Sequence, residues 1–329
     1  MPTHPLIDPG EVRFFSGSSN PPLAAAMARH LGLPLEGTLI TRFSNDILYI
    51  QLGASVRSRA VFIVQSLTPP VNDHLMELLM MIDIARSAAA REIHAVIPYF
   101  SFARSDKKDA PRISITARLV ADLIERAGAT HVMTMTLHSP QVHGFFSVPT
   151  DPLTARFLFT RHFRQRDLSH TIVVTPDAGG AKSTARFAHS LDLPNAYGNK
   201  QRLSDSQVHI ADLLGHSIRG YKRAIIYDDE IATGGSVVEL SRILIEGGIE
   251  EIWVSCTHGV FTANAFERLA GIPQITEIVA TDTVHLPEET RPKNLHVISV
   301  APIFGEAIRC NYARMSIGGL FDFGKDEKA

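Results

Sequence analysis

Two adjacent carboxylates, Asp228 and Asp229, follow the apolar run at residues 224–227, and the segment T-G-G-S at residues 233–236 comes shortly afterwards. The apolar run predicts a buried strand. Apolar residues then recur at helical spacing: Val237, Leu240, Ile243 and Leu244. Small residues at the N-terminus of a helix present backbone N–H groups and a favourable dipole to an anion. The segment therefore predicts a strand, an anion-binding loop and a helix.

The two carboxylates would repel a phosphate bound in that loop, so we expect them to face sugar hydroxyls or a divalent cation. A ligand with a phosphate at one end and a diol at the other, such as ribose 5-phosphate, satisfies both requirements. The alternative is a plain strand-to-helix turn, capped by Ser236, with Asp228 and Asp229 solvated. A Walker-type loop is excluded because the G-K-[ST] element is missing.

Short apolar runs alternate with helical patterns along the whole chain, as in AVFIVQ, NDHLMELLMMIDIARSAAA and IHAVIPYF. This alternation predicts β-α-β units, a mainly parallel sheet and fold class α/β. Residues 60–100 and 224–261 share one order of strand, loop, helix and strand, so we expect two similar domains. The first copy has VQSLTPPVND where the second has YDDEIATGGSVVE. The fold alone therefore does not require the paired aspartates and glycines.

Length and composition fit a two-domain enzyme. The 329 residues carry 45% apolar and 20% charged residues with a formal net charge of -2, and we place the domains at residues 1–155 and 156–329. The charge argues against nucleic acid as a partner. The two cysteines, Cys256 and Cys310, match no metal-ligand spacing and indicate a reducing compartment. The sequence shows neither a signal peptide nor a long uncharged apolar stretch, so we expect a cytoplasmic protein without a membrane partner.

The Asp-Asp and T-G-G-S elements resemble the phosphoribosyl pyrophosphate motif of type I phosphoribosyltransferases and of ribose-phosphate diphosphokinases. Further segments resemble the diphosphokinases in chain order: RFSND, PPVNDHLMELLMMID, VIPYFSFARSDKKD, LHSPQVHGFF, TPDAGGAK and THGVF. The likeness covers residues 13–321. It implies two similar phosphoribosyltransferase-type (Rossmann-like) domains. It also implies that the diphosphoryl group of Mg-ATP is transferred to the C1 hydroxyl of ribose 5-phosphate, with Mg²⁺ as the cofactor.

The resemblance also assigns roles to single residues. It implies catalytic side chains at Lys200 and Arg202, in a polar loop that closes over the transferring group. The positions implied to bind ATP are Phe43, Asn45, Arg104, Ser105, Asp109 and His138. Those implied to bind ribose 5-phosphate are Asp228, Asp229, Ala232, Thr233, Gly234, Gly235 and Ser236. His138 and Asp177 are implied to contact the metal. Since the family assigns the Phe43 position to a neighbouring subunit's site, we expect a dimer-based homo-oligomer, with a hexamer as one arrangement.

Four positions depart from the family pattern, and three of them fall on the ATP side. The carboxylate expected near the adenine amino group is missing at Asn45-Asp46-Ile47, Ser105 replaces a glutamine, and Thr136 replaces an aspartate. Ala232 replaces an aspartate in the sugar-phosphate loop. Three interpretations follow: an active diphosphokinase, a non-catalytic or altered-donor member that serves as a regulatory subunit, and a phosphoribosyltransferase. We favour the first because Lys200 and Arg202 are kept, and we disfavour the third because it leaves the N-terminal domain without a use.

Overall fold

The computed structural model describes residues 7–202 and 208–320, and for residues 200–202 and 208–212 it describes the backbone alone. Its strands are β1 (Val12–Ser16), β2 (Thr38–Arg42), β3 (Leu48–Leu52), β4 (Ala60–Val64), β5 (Glu92–Ile97), β6 (His131–Met135), β7 (Thr150–Leu153), β8 (Thr171–Thr175), β9 (Asn195–Arg202), β10 (Val208–Gly215), β11 (Arg223–Ile231), β12 (Glu251–Gly259), β13 (Ile275–Thr281) and β14 (Leu295–Ile298). Its α-helices are α1 (Pro21–Leu31), α2 (Val71–Ser87), α3 (Thr116–Ala127), α4 (Arg156–Phe163), α5 (Ala181–Ser190), α6 (Gly235–Glu246), α7 (Ala265–Ala270) and α8 (Ala301–Tyr312).

The described chain divides into two compact units. The first unit comprises residues 7–154, 283–285 and 299–320. The second comprises residues 155–282 and 286–298, less the gap at residues 203–207. Helix α8 therefore packs with the first unit although it lies near the end of the chain. The division into domains at residue 155 stays a prediction. Among the described residues, no helix combines the length and apolar character needed to span a membrane.

The first unit is built on a five-stranded parallel sheet in the order β1-β4-β5-β6-β7. Strand β4, the apolar run AVFIV, is buried at every position, as expected for a strand with both faces covered. A separate antiparallel hairpin joins β2 to β3. Helices α1 and α8 pack closely, because a side chain on Gly305 would meet the His30 ring at 2.3 Å.

The second unit contains a seven-stranded sheet in the order β10-β9-β8-β11-β12-β13-β14. All pairings are parallel except β9 with β10. The two copies of the predicted repeat become β4-α2-β5 and β11-α6-β12, one in each sheet. The predicted α/β fold with mainly parallel sheets is confirmed. The antiparallel pair β9-β10 is an addition that the sequence pattern does not indicate.

A cluster of charged and aromatic side chains lies at the amino end of the second sheet. Trp253 on β12 is buried, and the guanidinium groups of Arg223 and Arg166 lie 4.3 and 5.0 Å from its ring centre. The carboxylate of Glu277 on β13 accepts hydrogen bonds from Arg166 and from Nε2 of His162, the latter at 3.0 Å. Cation–π contacts and a hydrogen-bonded buried carboxylate thus stabilise this end of the sheet.

Candidate active site

The paired carboxylates lie inside β11. The apolar run predicted a strand that ends at Tyr227, but β11 continues to Ile231. It does so because the parallel pairing with β12 also continues, with Asp228 opposite Cys256 and Ile231 opposite Gly259. Pairing to a neighbouring strand here outweighs the low strand propensity of aspartate. Both carboxylates therefore extend from rigid backbone at the carboxyl end of a parallel strand.

The loop after β11 is held by hydrogen bonds to its carbonyl groups. The amide of Thr262 donates to the carbonyl of Ala232 at 2.9 Å, and Nη1 of Arg268 donates to the carbonyl of Thr233 at 3.3 Å. Gly234 has a φ of 74°, a left-handed conformation that glycine adopts without strain. These contacts fix the loop backbone through its carbonyl groups. They leave the amides of the first turn of the following helix available to a ligand.

Helix α6 begins without a capping side chain. Its N-cap residue is Gly234, which has no side chain to accept from the first-turn N–H groups. Ser236 lies inside the helix, one residue after its first residue, so the alternative of a turn capped by Ser236 is wrong. Amides of the first turn form no intrahelical bonds, and with the helix dipole they attract an anion. This geometry fits the predicted phosphate position at residues 233–236.

Three carboxylates influence one another at the carboxyl end of the strands in the second sheet. Burial, the charge of Asp229 and the more distant charge of Asp177 together raise the pKa of Asp228 well above its usual value. Asp177 follows β8, the strand beside β11, and its Oδ1 accepts from the amides of Gly179 and Gly180 at 2.9 and 3.3 Å. The carboxyl oxygens at this end of the sheet suit hydroxyl donors or a cation.

Lys200 and Arg202 belong to a strand, whereas the sequence predicted a loop outside regular structure. Both lie in β9, where Lys200 pairs with Ile210 and Arg202 pairs with Val208 of the antiparallel β10. Backbone pairing can form here because β10 supplies a partner that the polar local sequence does not reveal. The side chains of both residues lie outside the described part of the structure, and their catalytic role stays a prediction.

In the first unit, two predicted ATP-binding residues follow neighbouring strands. Arg104 comes after β5 and His138 comes after β6, and these two strands pair in parallel. Both side chains are exposed at the carboxyl end of the sheet. Asp109 is exposed in the segment that joins Arg104 to α3. Arg104 and His138 therefore both lie at the carboxyl end of the first sheet.

The hydroxyl of Ser105 forms hydrogen bonds at the start of α3. The amide of Thr116, the first residue of α3, donates to Oγ of Ser105 at 3.2 Å. The hydroxyl of Ser105 also faces the carbonyl of Ser114 at 3.3 Å. Through these contacts the short side chain of Ser105 ties the segment after β5 to α3.

The predicted adenine-side residues lie at the tip of the β2-β3 hairpin. Phe43 is 55% exposed, and its ring meets Tyr49 edge-on with centres 5.5 Å apart. Oδ1 of Asn45 faces the amide of Ile47 at 3.4 Å, and Ile47 is also exposed. Arg42 ties the hairpin to α2 through Asp73 at 2.8 Å. The tip thus presents an aromatic surface without a carboxylate at position 47.

The two residues predicted to contact metal belong to different units, His138 to the first and Asp177 to the second. Within the described residues, no group of three or more histidine, cysteine, aspartate or glutamate side chains is arranged to hold a metal ion. The described residues therefore form no complete all-protein metal cage. A Mg²⁺ ion commonly takes one or two protein carboxylates together with substrate phosphates, so it does not require such a cage.

Sequence reasoning missed several polar side chains that the fold buries or brings together. Glu77 of α2 is 5% exposed and accepts from the amide of Ser18 at 3.0 Å and from Nε2 of Gln65 at 2.7 Å. One signal for Glu77 was available, since an acidic residue interrupts the apolar face of α2. Arg268 gave no such signal because its contact depends on how α7 packs beside the loop.

Comparisons with known proteins identify the family of this chain. Residues 12–128 match the family model described as the N-terminal domain of ribose phosphate pyrophosphokinase, and residues 211–322 match the phosphoribosyl synthetase-associated domain. A relative from Streptomyces coelicolor is 50% identical and covers 95% of this chain and 98% of its own. The ribose-phosphate pyrophosphokinase of Deinococcus radiodurans is 46% identical, with 93% and 97% coverage.

A solved structure shows the same fold. The phosphoribosylpyrophosphate synthetase of Mycobacterium smegmatis superposes with a TM-score of 0.86 at 33% identity, covering 92% of this chain and 99% of the other. Fold and site together define a two-unit α/β protein of the phosphoribosyltransferase type. More narrowly, the chain belongs to the ribose-phosphate pyrophosphokinase family, whose members are also called diphosphokinases.

Proposed function

We propose that this chain transfers the diphosphoryl group of Mg-ATP to the C1 hydroxyl of ribose 5-phosphate, giving phosphoribosyl pyrophosphate and AMP. The observation that carries the proposal is the carboxyl end of β11. There, two carboxylates and a helix N-terminus without a capping side chain follow one another within nine residues, 228–236. This arrangement suits a molecule that has hydroxyl groups at one end and a phosphate at the other.

Ribose 5-phosphate would bind with its phosphate at the amides of residues 233–236. Asp228 and Asp229 would accept hydrogen bonds from the sugar hydroxyls. Because both carboxylates lie on a paired strand, they fix the sugar without a large loss of side-chain freedom. This orientation would direct the C1 hydroxyl towards the β-phosphorus of ATP.

In the reaction, the C1 oxygen forms a bond to the β-phosphorus while the bond from that phosphorus to the α,β-bridging oxygen breaks. AMP leaves with this oxygen, and the C1 hydroxyl loses its proton. The barrier falls when cationic groups stabilise charge on the transferring phosphates. Lys200 and Arg202 are our candidates for this role, supported by their match to the family motif.

Mg²⁺ is the proposed cofactor, with Asp177 and His138 as the candidate protein contacts. Oxygen-rich surroundings suit Mg²⁺, and Asp228, Asp229 and Asp177 supply carboxyl oxygens near the carboxyl end of the second sheet. When bound, the ion would neutralise phosphate charge. The chain's own residues would orient the sugar and the nucleotide around it.

On the nucleotide side, we propose that Phe43, Asn45, Arg104, Ser105 and Asp109 contact ATP. The exposed ring of Phe43 supports stacking on a base, and the absence of a carboxylate at Ile47 removes one acceptor for the adenine amino group. We therefore expect weaker discrimination among donor nucleotides.

A homo-oligomer is part of the proposal because the β2-β3 hairpin exposes Leu39 on β2 and Phe43 and Ile47 at its tip. Such a surface is suited to contact with a second copy. We also propose a cytoplasmic location, which the two free and buried cysteines support.

The direct test measures AMP and phosphoribosyl pyrophosphate formed by the purified protein with ribose 5-phosphate, Mg²⁺ and ATP, dATP, CTP or GTP. We expect turnover, and we expect Asp229→Asn to weaken ribose 5-phosphate binding while the exposed control Glu246→Gln leaves it unchanged. Binding of ribose 5-phosphate without turnover of any donor would instead support the non-catalytic regulatory subunit.

A further inference from the structure

A hydrogen bond between two side chains in the first unit joins the segments that follow β5 and β6. Nε2 of Gln141 donates to Oδ2 of Asp106, with 2.6 Å between the two atoms. Asp106 lies two residues after Arg104, and Gln141 lies three residues after His138. The bond therefore connects the two segments that carry predicted ATP contacts, although neither of its partners is one of those contacts.

Asp106 begins a loop, residues 106–113, that has few other attachments. The base of the loop is closed because Oγ of Ser105 lies 3.3 Å from the carbonyl of Ser114. The amide of Ala117 also donates to the carbonyl of Ser105 at 3.1 Å. Within the part of the chain that the structure describes, we find no other hydrogen bond or ion pair from a side chain of this loop. The carboxylate of Asp106 is thus the point at which the loop is attached to its neighbour.

Gln141 extends from a backbone that is anchored in the core. It lies in a short 3₁₀ helix, Pro140–Phe145, and the next residue, Val142, is fully buried. Phe146 follows this helix directly, and its ring meets the buried Phe100 with centres 5.9 Å apart. The exposed side chain of Gln141 can therefore hold the loop from a fixed position.

The backbone before His138 is fixed as well. Thr136 has a φ of 40°, a left-handed conformation that β-branched residues rarely adopt. Its amide donates to the carbonyl of Leu153 on β7 at 2.8 Å. His138 thus lies between two anchored stretches of chain, and its position does not depend on the bond to Asp106. The loop is the partner that the bond has to hold in place.

We propose that Gln141 is a positioning residue for the ATP site. It holds Asp106, and with it the loop that carries Asp109, beside the segment of His138. This inference rests on the proposed function, in which Arg104, Asp109 and His138 contact ATP. Without the bond, the loop would sample more conformations, and ATP binding would have to order it at an entropic cost. A side chain outside the nucleotide contacts thus contributes to the affinity for ATP.

The hydrogen bond can be tested by exchanging its donor and acceptor. Gln141→Ala removes the donor and adds no charge. Gln141→Glu places two carboxylates opposite each other, and these repel. Asp106→Asn keeps an oxygen that accepts from Gln141. The double variant, Gln141→Glu with Asp106→Asn, restores one donor and one acceptor and has the same total charge as the unmodified pair.

The experiment compares these full-length variants by steady-state kinetics with ATP, ribose 5-phosphate and Mg²⁺, and by calorimetric binding of ATP. We expect Gln141→Ala to raise the KM and the Kd for ATP about 2- to 12-fold, the effect of one hydrogen bond. The KM for ribose 5-phosphate and kcat should stay nearly unchanged. Gln141→Glu should raise the KM for ATP at least as much, whereas Asp106→Asn and the double variant should resemble the unmodified protein. Gln165→Ala, which removes an exposed glutamine of the second unit, is the control.

Trypsin cleavage after Lys107 and Lys108 gives a readout that does not depend on turnover. Both lysines are exposed in the loop, and cleavage of a locally opened segment tracks how often that segment opens. We expect faster cleavage at these two bonds in Gln141→Ala, identified by the masses of the fragments. The double variant should return the cleavage rate to that of the unmodified protein.

The outcomes separate this inference from the proposed function. If the unmodified protein neither binds nor turns over ATP, the proposed function fails and the inference fails with it. If the unmodified protein uses ATP and Gln141→Ala keeps the same KM for ATP, the inference alone is wrong. An equal rise in the KM for both substrates, or a Gln141→Glu defect that Asp106→Asn does not relieve, would also overturn it.

Discussion

Arg268 of α7 donates a hydrogen bond to the backbone carbonyl of Thr233, with 3.3 Å between Nη1 and the oxygen. Through this bond, a helix that supplies no predicted ligand contact fixes the loop proposed to bind phosphate. Replacing Arg268 with alanine should raise the KM for ribose 5-phosphate about 2- to 12-fold, the equivalent of one hydrogen bond worth about 0.5–1.5 kcal/mol. Steady-state kinetics should show kcat nearly unchanged. A loss confined to kcat would contradict this positioning role, and Arg242→Ala on α6 is the control.

Gly234 should resist substitution for a backbone reason. Its φ of 74° strains any residue with a side chain, although the nearest atoms to an added methyl group lie 3.6 Å away. Gly234→Ala should therefore lower the free energy of unfolding by about 1–2 kcal/mol, measured by urea denaturation. Gly235→Ala is the matched control, because its backbone is helical and the nearest atom is 3.8 Å away. Equal losses in the two variants would refute the conformational explanation.

Lys200→Ala should lower kcat roughly 100- to 1,000-fold, the usual effect of removing one donor that stabilises a transition state. The affinity for ribose 5-phosphate should barely change, because the contact is expected mainly in the transition state. Steady-state kinetics and direct binding of ribose 5-phosphate separate the two effects. Lys222→Ala, which removes an exposed ion pair with Glu250, should leave both quantities unchanged. A large loss of affinity at normal kcat would exclude the proposed role.

Glu277 should make stability depend on pH in the second unit. Burial by itself would raise its pKa, but hydrogen bonds from His162 and Arg166 bring the pKa below its usual value. A lowered pKa in the folded state stabilises the protein above the unfolded value of about 4.3, and this contribution is lost as the pH falls through the folded pKa. Glu277→Gln should therefore destabilise the chain by about 1.5–3 kcal/mol at pH 7. Far-ultraviolet circular dichroism during denaturation should show that the deficit shrinks below about pH 4. A deficit independent of pH would disprove this account.

The apolar runs were sufficient to predict the parallel sheets, because strands such as β4 are buried on both faces and need no polar alternation. The extent of β11 was not predictable in the same way, since Asp228 and Asp229 stay in the strand through pairing with β12. The strand at Lys200 and Arg202 was not predictable for a similar reason. Their local sequence resembles a loop, and it does not indicate that β10 is available as a pairing partner.

Polar contacts between residues far apart in the sequence were not predictable either. His94 and His131 each interrupt an apolar strand, but they lie 37 residues apart in the sequence and meet because β5 and β6 are neighbours. The loop at residues 233–236, in contrast, follows from local chemistry: small residues, a helix start and preceding carboxylates are adjacent in the chain. Local motifs were therefore predictable, whereas contacts between strands required the fold.

Trp253 is the one tryptophan of the chain, and the guanidinium groups of Arg166 and Arg223 lie close to its ring in the second unit. The intrinsic fluorescence of the protein, excited selectively at the indole, is consequently a local signal. It reports the loosening of the sheet in the second unit. If the two units melt at different temperatures, fluorescence and whole-chain calorimetry will record different transitions, and the difference will separate the stability of one half of the enzyme from that of the other.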